Sequence, residues 1–157
     1  MKIILLVTGK SDGGFWNDAT IEYTKRIKFY IPFDIEIIPD IKGIASMTEE
    51  QQRERQGASI LKALSTTDYC ILLDERGKEK SSIEFASFIG QRMTTSAKRT
   101  VFVVGGAYGF SEDVYQRADE KLSISRMTFS HQMIRAIFTE QLYRAMTILR
   151  GEKYHHE

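Results

Sequence analysis

Two runs that are apolar on both faces constrain this chain more than anything else in it. They are KIILLVT (Lys2–Thr8) and TVFVV (Thr100–Val104). Successive strand residues point to opposite sides, so a strand with no polar side must be covered above and below. That is the position of a central strand in a parallel sheet flanked by helices. Three further strands are expected. In Phe33–Ile37 Phe33, Ile35 and Ile37 alternate with Asp34 and Glu36, which gives a half-exposed edge strand stopped by Pro39. Tyr69–Asp74 reads as the third strand, turned by Glu75-Arg76-Gly77-Lys78, and Leu122–Ser125 as the fifth.

Helical spacing fills the intervals. Trp16, Ala19, Tyr23, Ile27 and Tyr30 mark a helix over Phe15–Tyr30 that ends before Pro32. Thr48 with Gln51 forms a capping box for a helix running to Leu64, whose polar first half (Glu49–Gln56) is expected to stand in solvent. Ser81 with Glu84 opens another, with Ile83, Ala86, Ile89 (or Gly90) and Met93 marking one face. Ser111 can cap a short helix to Ala118, and a long one runs from His131 to Arg150. Strand and helix alternate without linker, repeat or low-complexity tract. The expectation is one α/β domain over residues 1–157, a three-layer sandwich with a mainly parallel sheet. Strand order does not follow from spacing.

At 157 residues the chain can bury a core without staples. It has no apolar run near the ~20 residues a bilayer span needs. The run after Lys2 is too short for a signal peptide and lacks a small-residue cleavage site. The single cysteine, Cys70, lies in an apolar run and reads as a buried structural thiol, which excludes an internal disulfide and makes the cytoplasm the simplest compartment. A net charge of +1 excludes bulk attraction to nucleic acid. The distribution is uneven, however. From Arg126 onward come five Lys/Arg, three glutamates and all three histidines.

Open α/β proteins bind ligands in loops at the carboxyl ends of their strands. Two loops stand out. Gly105-Gly106-Ala107-Tyr108-Gly109 follows an apolar strand, where glycines serve either close backbone approach to a ligand or a turn needing positive φ. The stretch Ser123–Phe129 mixes small polar residues with Ile124, Met127 and Phe129, which suits a slot for an adenine ring edged by main-chain groups. The two should open on one edge and form one pocket for a small adenosine-bearing cofactor. Thr8-Gly9-Lys10-Ser11 mimics a phosphate-binding loop but has Ile4 where the first glycine belongs, and the turn also lacks the dinucleotide fingerprint. Asp40, after the second strand, is a minor candidate for a ribose.

Arg135 and Arg144 lie nine apart, about 180° round a helix, so one can serve the pocket while the other meets a partner chain or a polyanion; both could equally be solvated. Glu140 is placed to pair with Arg144 one turn on. His131, His155 and His156 lack companion ligands at metal spacing, so no metal site is expected.

The segments KIILLVTGK, EYTKR, LLDERGK, VFVVGGAYG, LSISRMTFSHQMIR, EQLYRA and GEKYH, taken together, resemble the small SPOUT-type methyltransferases that modify a pseudouridine of bacterial 23S ribosomal RNA, the ribosomal large subunit methyltransferase H family. The likeness spans the whole chain. It implies a deep trefoil knot in the C-terminal part, a homodimer, S-adenosylmethionine as donor, and methylation at N3 of the base on assembled ribosomes. Cofactor contacts carry over to Leu73, Gly105, Ile124, Ser125, Arg126, Met127, Thr128 and Phe129. In one departure, Ser130 stands where the family usually has proline, which is expected to free an amide and loosen the loop before His131.

Methyl transfer at that nitrogen needs a proton acceptor. Glu140 and His155 are the candidates, with Arg144 and Tyr154 sharing the binding of the ring. The tail, Gly151–Glu157, is expected to reach the partner's cofactor loop, with Tyr154 free to stack on an extruded base. Two rival readings are a non-catalytic RNA- or ribosome-binding module on the same fold, and an oxidoreductase with nicotinamide at the Gly9–Gly14 turn.

Overall fold

The computed structural model describes residues 1–156. Five strands form one sheet: β1 (Lys2–Thr8), β2 (Phe33–Ile38), β3 (Tyr69–Glu79), β4 (Arg99–Val104) and β5 (Glu120–Ser123). Their order is β2-β1-β4-β3-β5, and every pairing is parallel. The two doubly apolar runs, β1 and β4, are neighbours at the centre, and β2 is an edge, as their patterns require.

The alternation of side chains divides the core into two layers. Ile3, Leu5 and Val7 of β1 and Phe102 of β4 face three helices: α1 (Phe15–Ile27), α3 (Ser82–Met93) and α5 (His131–Leu149). Ile4, Leu6, Val101 and Val103 face α2 (Glu49–Ala63) and α4 (Glu112–Arg117). The result is the three-layer sandwich. Cys70 belongs to the second layer, fully buried, and desolvation pushes its thiol up to about 11. Both capping boxes form, on Thr48 and on Ser81. Among the described residues no helix is long and apolar enough to cross a membrane.

Several expectations need correction. The first helix stops at Ile27, and residues 28–30 form a turn, because Pro32 forces Ile31 out of helical geometry and into the core. β3 does not turn at Glu75–Lys78. It carries on to Glu79 through an irregularity, with Leu122 of β5 opposite Leu73 and again opposite Lys78. Gly77 permits this, since a Cβ there would lie 2.7 Å from both the backbone N and C of Leu122. β5 begins two residues earlier than expected, so Ile124 and Ser125 belong to the loop. The buried face of α3 is Phe85, Ala86 and Ile89; Ile83 and Met93 are 42% and 43% exposed. Phe85 wins that face because its ring meets those of Phe102 and Phe138.

Candidate functional site

The carboxyl ends of β3 and β4 and the loop after β5 surround a cavity of about 680 Å³, within the range of small-molecule sites. Leu73, Gly105, Ile124, Ser125, Met127, Thr128 and Phe129 all line it, so the two singled-out loops do open on one pocket. Arg126 does not: its side chain is 84% exposed and reaches Glu79 at 3.6 Å. The loop is bent by Ser125, whose Oγ accepts from the Met127 amide at 3.0 Å.

Only one of the glycines after β4 meets the positive-φ expectation. Gly105 and Gly106 have no positive φ. A Cβ on Gly105 would press on the Phe110 ring at 3.0 Å, and one on Gly106 would fall on the Gln56 side-chain amide. Protein packing fills those spaces, and only Gly109 (φ +79°) closes the bend by its conformation, its amide donating to the Gly106 carbonyl at 3.1 Å.

That packing brings α2 over the pocket. Its polar first half stands mostly in solvent, as expected, with Glu50 and Glu54 exposed, and Glu50, Arg53 and Glu54 also wall the cavity. Opposite them, α5 begins at Ser130, whose Oγ accepts from the Met133 amide at 3.3 Å. Ser130 therefore fixes the helix start and does not loosen it. His131 and Ile134, on the first turn, face the cavity. Burial, aided by the neighbouring Arg135 charge, lowers the His131 pKa, which keeps the imidazole neutral.

Arg135 serves neither pocket nor solvent. It is buried, and its guanidinium donates to the carbonyls of Thr8 and Gly9, both at 2.9 Å, tying α5 to the end of β1. None of residues 9–14 lines the cavity, and Asp40 packs beside Gly9, away from it. The ribose role considered for Asp40 and the nicotinamide site at Gly9–Gly14 therefore have no place in this pocket.

Glu140, Arg144, Tyr154 and His155 do come together, in a second constellation on α5 and the tail. Arg144 Nη2 donates to Glu140 Oε1 at 2.5 Å, and the Tyr154 hydroxyl approaches the same oxygen at 3.1 Å. Gln141 donates to the other oxygen at 2.8 Å. Arg144 Nη1 lies 3.3 Å from His155 Nδ1. The Tyr154 hydroxyl is also 3.2 Å from that of Tyr23 on α1, while its ring meets Tyr143 edge-on at 4.7 Å and lies under Arg144 at 4.8 Å. Burial, then the Tyr23 and Glu140 contacts, raise the Tyr154 pKa, so the phenol stays protonated.

The tail thus folds back onto its own α1 and α5, with Tyr154 half-buried against Tyr143 and Arg144. Glu157 lies outside the described residues. No group of three or more His, Cys, Asp or Glu among the described residues is placed to hold a metal.

The two constellations do not meet within one chain. None of the four clustered residues lines the cavity. Glu140 is nine residues beyond His131 and Arg144 thirteen, about 14 and 20 Å along the helix at ~1.5 Å per residue. Asp74 and Tyr115 also line the cavity and were missed. The signal for Asp74 was available, since it ends the LLD run at the carboxyl edge of a strand.

Comparison with known proteins gives a consistent result. The sequence model of the family described as predicted SPOUT methyltransferases matches residues 1–155. A Parabacteroides distasonis protein named ribosomal RNA large subunit methyltransferase H is 58% identical over 157 residues, all of both chains. Proteins of the same name from Bacteroides thetaiotaomicron and Porphyromonas gingivalis are 55% and 52% identical, again over the full length of both chains. Among solved structures, a probable methylase family protein from Haemophilus influenzae superposes with a TM-score of 0.56 at 14% identity. It covers 97% of this chain and 67% of its own, a likeness of fold.

Proposed function

The chain belongs to the SPOUT methyltransferase family, and on that basis we propose that it transfers the methyl group of S-adenosylmethionine to large-subunit ribosomal RNA, at N3 of a pseudouridine in 23S rRNA, as a homodimer acting on assembled ribosomes. One observation carries the dimeric reading: the pocket and the polar cluster are separated along α5 by far more than reacting atoms tolerate. A second copy, presenting its cluster to the first copy's pocket, makes one complete site. Membership of the family also carries the proposal of a C-terminal trefoil knot. It is supported by the path from the outer strand β5 back across the sheet into α5, packed between α1 and α3.

The residues present fit the cofactor. Ile124, Met127 and Phe129 offer an apolar slot, the Gly105 bend offers main-chain groups, and a buried acceptor, Asp74, stands beside them. When bound, the cofactor supplies an electrophilic methyl on a sulfonium. The apolar walls leave that charge weakly solvated, which favours a transition state in which it disperses. His131 stays neutral and adds no competing positive charge to the pocket.

In the cluster, Glu140 already accepts three hydrogen bonds and acts as the holder of Arg144 and Tyr154. Glu140 and His155 are the two groups of the cluster able to take the N3 proton, and Arg144 lies beside both. Arg144 and Tyr154 hold the ring through its polar edge.

Mixing two inactive variants tests the shared site. A variant with a blocked pocket (Gly105→Val) and one without the cluster arginine (Arg144→Ala) should together recover up to about a quarter of wild-type methylation, since half the dimers then carry one intact site. No recovery from dimers shown to exchange overturns the shared site. Deleting residues 154–157 should abolish methylation with cofactor affinity nearly intact. Calorimetry with S-adenosylmethionine separates the enzyme from a non-catalytic ribosome-binding module, which would bind none.

A further inference from the structure

Asp74 is the buried carboxylate to which the cofactor reading gives no specific task. It follows Leu73 at the end of the regular part of β3, is 7% exposed and lines the cavity. Its Oδ1 accepts from the Arg76 amide at 2.9 Å and its Oδ2 from the Tyr115 hydroxyl at 2.5 Å. Both donors are neutral. Burial, then the bond to Asp74, pushes the Tyr115 phenol up to about 12, so it remains a donor. Each carboxylate oxygen can accept about two hydrogen bonds, so each keeps acceptor capacity, and a buried carboxylate needs that capacity met.

We infer that Asp74 accepts the ribose hydroxyls of the nucleoside cofactor, with Tyr115 as the residue that positions it; this rests on the cofactor reading above. Three observations converge. The first is place. β3 lies between β4 and β5 in the sheet, so Asp74 sits on the floor between the glycine bend and the Ile124–Phe129 loop, where the middle of a ligand spanning both must lie. In an adenosine-bearing methyl donor the middle piece is the sugar. The second is chemistry. A cis-diol brings two donors to a group with two acceptor oxygens, and acidic side chains at strand ends take this role in other α/β folds. The third is exclusion. A carboxylate against the sulfonium would stabilise the charged ground state that transfer must leave, so the neutral sugar is the productive neighbour. The remaining competitor is the ammonium of the aminoacyl arm.

Calorimetry with three probes decides between them: S-adenosylhomocysteine, 5′-methylthioadenosine (which keeps the diol but lacks the aminoacyl arm) and the 2′,3′-dideoxy form of S-adenosylhomocysteine. Asp74→Asn should weaken the first two by the same factor, roughly ten- to a hundredfold for bonds to a charged acceptor, and leave the dideoxy ligand within a fewfold of wild type. Tyr115→Phe, which keeps the carboxylate but releases Oδ2, should show the same pattern at smaller size. It carries the test alone if Asp74→Asn does not fold.

Loss with S-adenosylhomocysteine but not with 5′-methylthioadenosine would place Asp74 on the aminoacyl arm and overturn the inference. Equal loss with the dideoxy ligand would reduce it to a structural residue, and an unchanged Tyr115→Phe would remove the positioning role. If the wild-type protein binds none of the three, the cofactor reading itself fails. That outcome is distinct from wild-type binding that Asp74→Asn leaves intact.

Discussion

Replacing Gly77 with alanine tests whether β5, and the proposed cofactor loop it carries, is held where the structure puts it. Gly77 has no positive φ, so the backbone accepts alanine and the cost is steric. The new Cβ would stand 2.7 Å from Leu122 N and C and 2.8 Å from Lys121 C, all backbone atoms that cannot rotate away. Ordinary carbon contacts lie at ~3.5–4.0 Å, so β5 must retreat by roughly 0.7–1 Å. β3 is its one sheet neighbour among the described residues, and Leu122 is buried, so the retreat strains the ladder and the core together.

Overpacking of this kind costs about 1–3 kcal/mol. In a chain of this length that amounts to roughly 3–10 °C of melting temperature. Because Ile124 follows β5 directly, affinity for S-adenosylhomocysteine should fall as well. Gly13→Ala is the control. Its φ of +79° makes alanine costly by about 1–2 kcal/mol, but nothing lies within 4 Å of the new Cβ and ligand binding should not change. Urea unfolding with calorimetry reads both quantities. A Gly77→Ala protein within about 0.5 kcal/mol of wild type and with unchanged affinity would refute the bulge as the device that sets β5.

Ser130→Pro should be nearly neutral. The site's φ of −64° and ψ of 154° suit proline, and loss of the cap (~0.5–2 kcal/mol) is offset by reduced freedom of the unfolded chain (~0.4–1 kcal/mol). Destabilisation beyond about 2 kcal/mol in urea unfolding would mean that the Ser130 amide has a task of its own.

His131 supplies the pH dependence. Burial first, and Arg135 second, hold its folded pKa below the unfolded ~6.5. The unfolded chain therefore takes up the proton first. The contribution of the neutral imidazole is complete above the unfolded pKa and declines as pH falls from there toward the folded value. His131→Gln should flatten the stability curve below about pH 6.5, and equal acid-side slopes in both proteins would discard this account.

The elements that could be read from sequence are those with a local signature. β1 and β4 carry apolar residues on both faces, and the two capping boxes need only four consecutive residues. What could not be read depends on distant partners. Arg135 looks like a solvated helix arginine until the carbonyls of Thr8 and Gly9, over a hundred positions earlier, arrive beside it. The start of β5, Glu120-Lys121, is polar because it pairs on one side only, and polarity at an edge is indistinguishable from a loop. Glu50, Arg53 and Glu54 wall the cavity while Glu50 and Glu54 stay exposed, and a polar pocket wall has the same pattern as a solvated face. For the same reason the two candidate constellations were legible as residues but not as separate places.

Their separation has an electrostatic side. Glu50, Glu54, Glu75 and Glu112 surround the cavity together with Arg53 and Arg76, and Asp74 adds another negative charge below them. That rim repels a polyanion. Arg144, Arg150 and Lys153 stand at the far end of α5, about 20 Å or more along the helix from His131; with Arg144 paired to Glu140 and Glu152 beside the other two, that end keeps a small excess of positive charge. At physiological ionic strength charges are screened over about 8 Å, so the two ends act independently. Phosphates drawn to the basic end of one chain are therefore kept off that chain's own pocket. Under the proposed arrangement the same field helps: the basic end of one copy holds the RNA while the acidic rim of the other leaves its phosphates outside, so only the uncharged base has an electrostatic reason to enter.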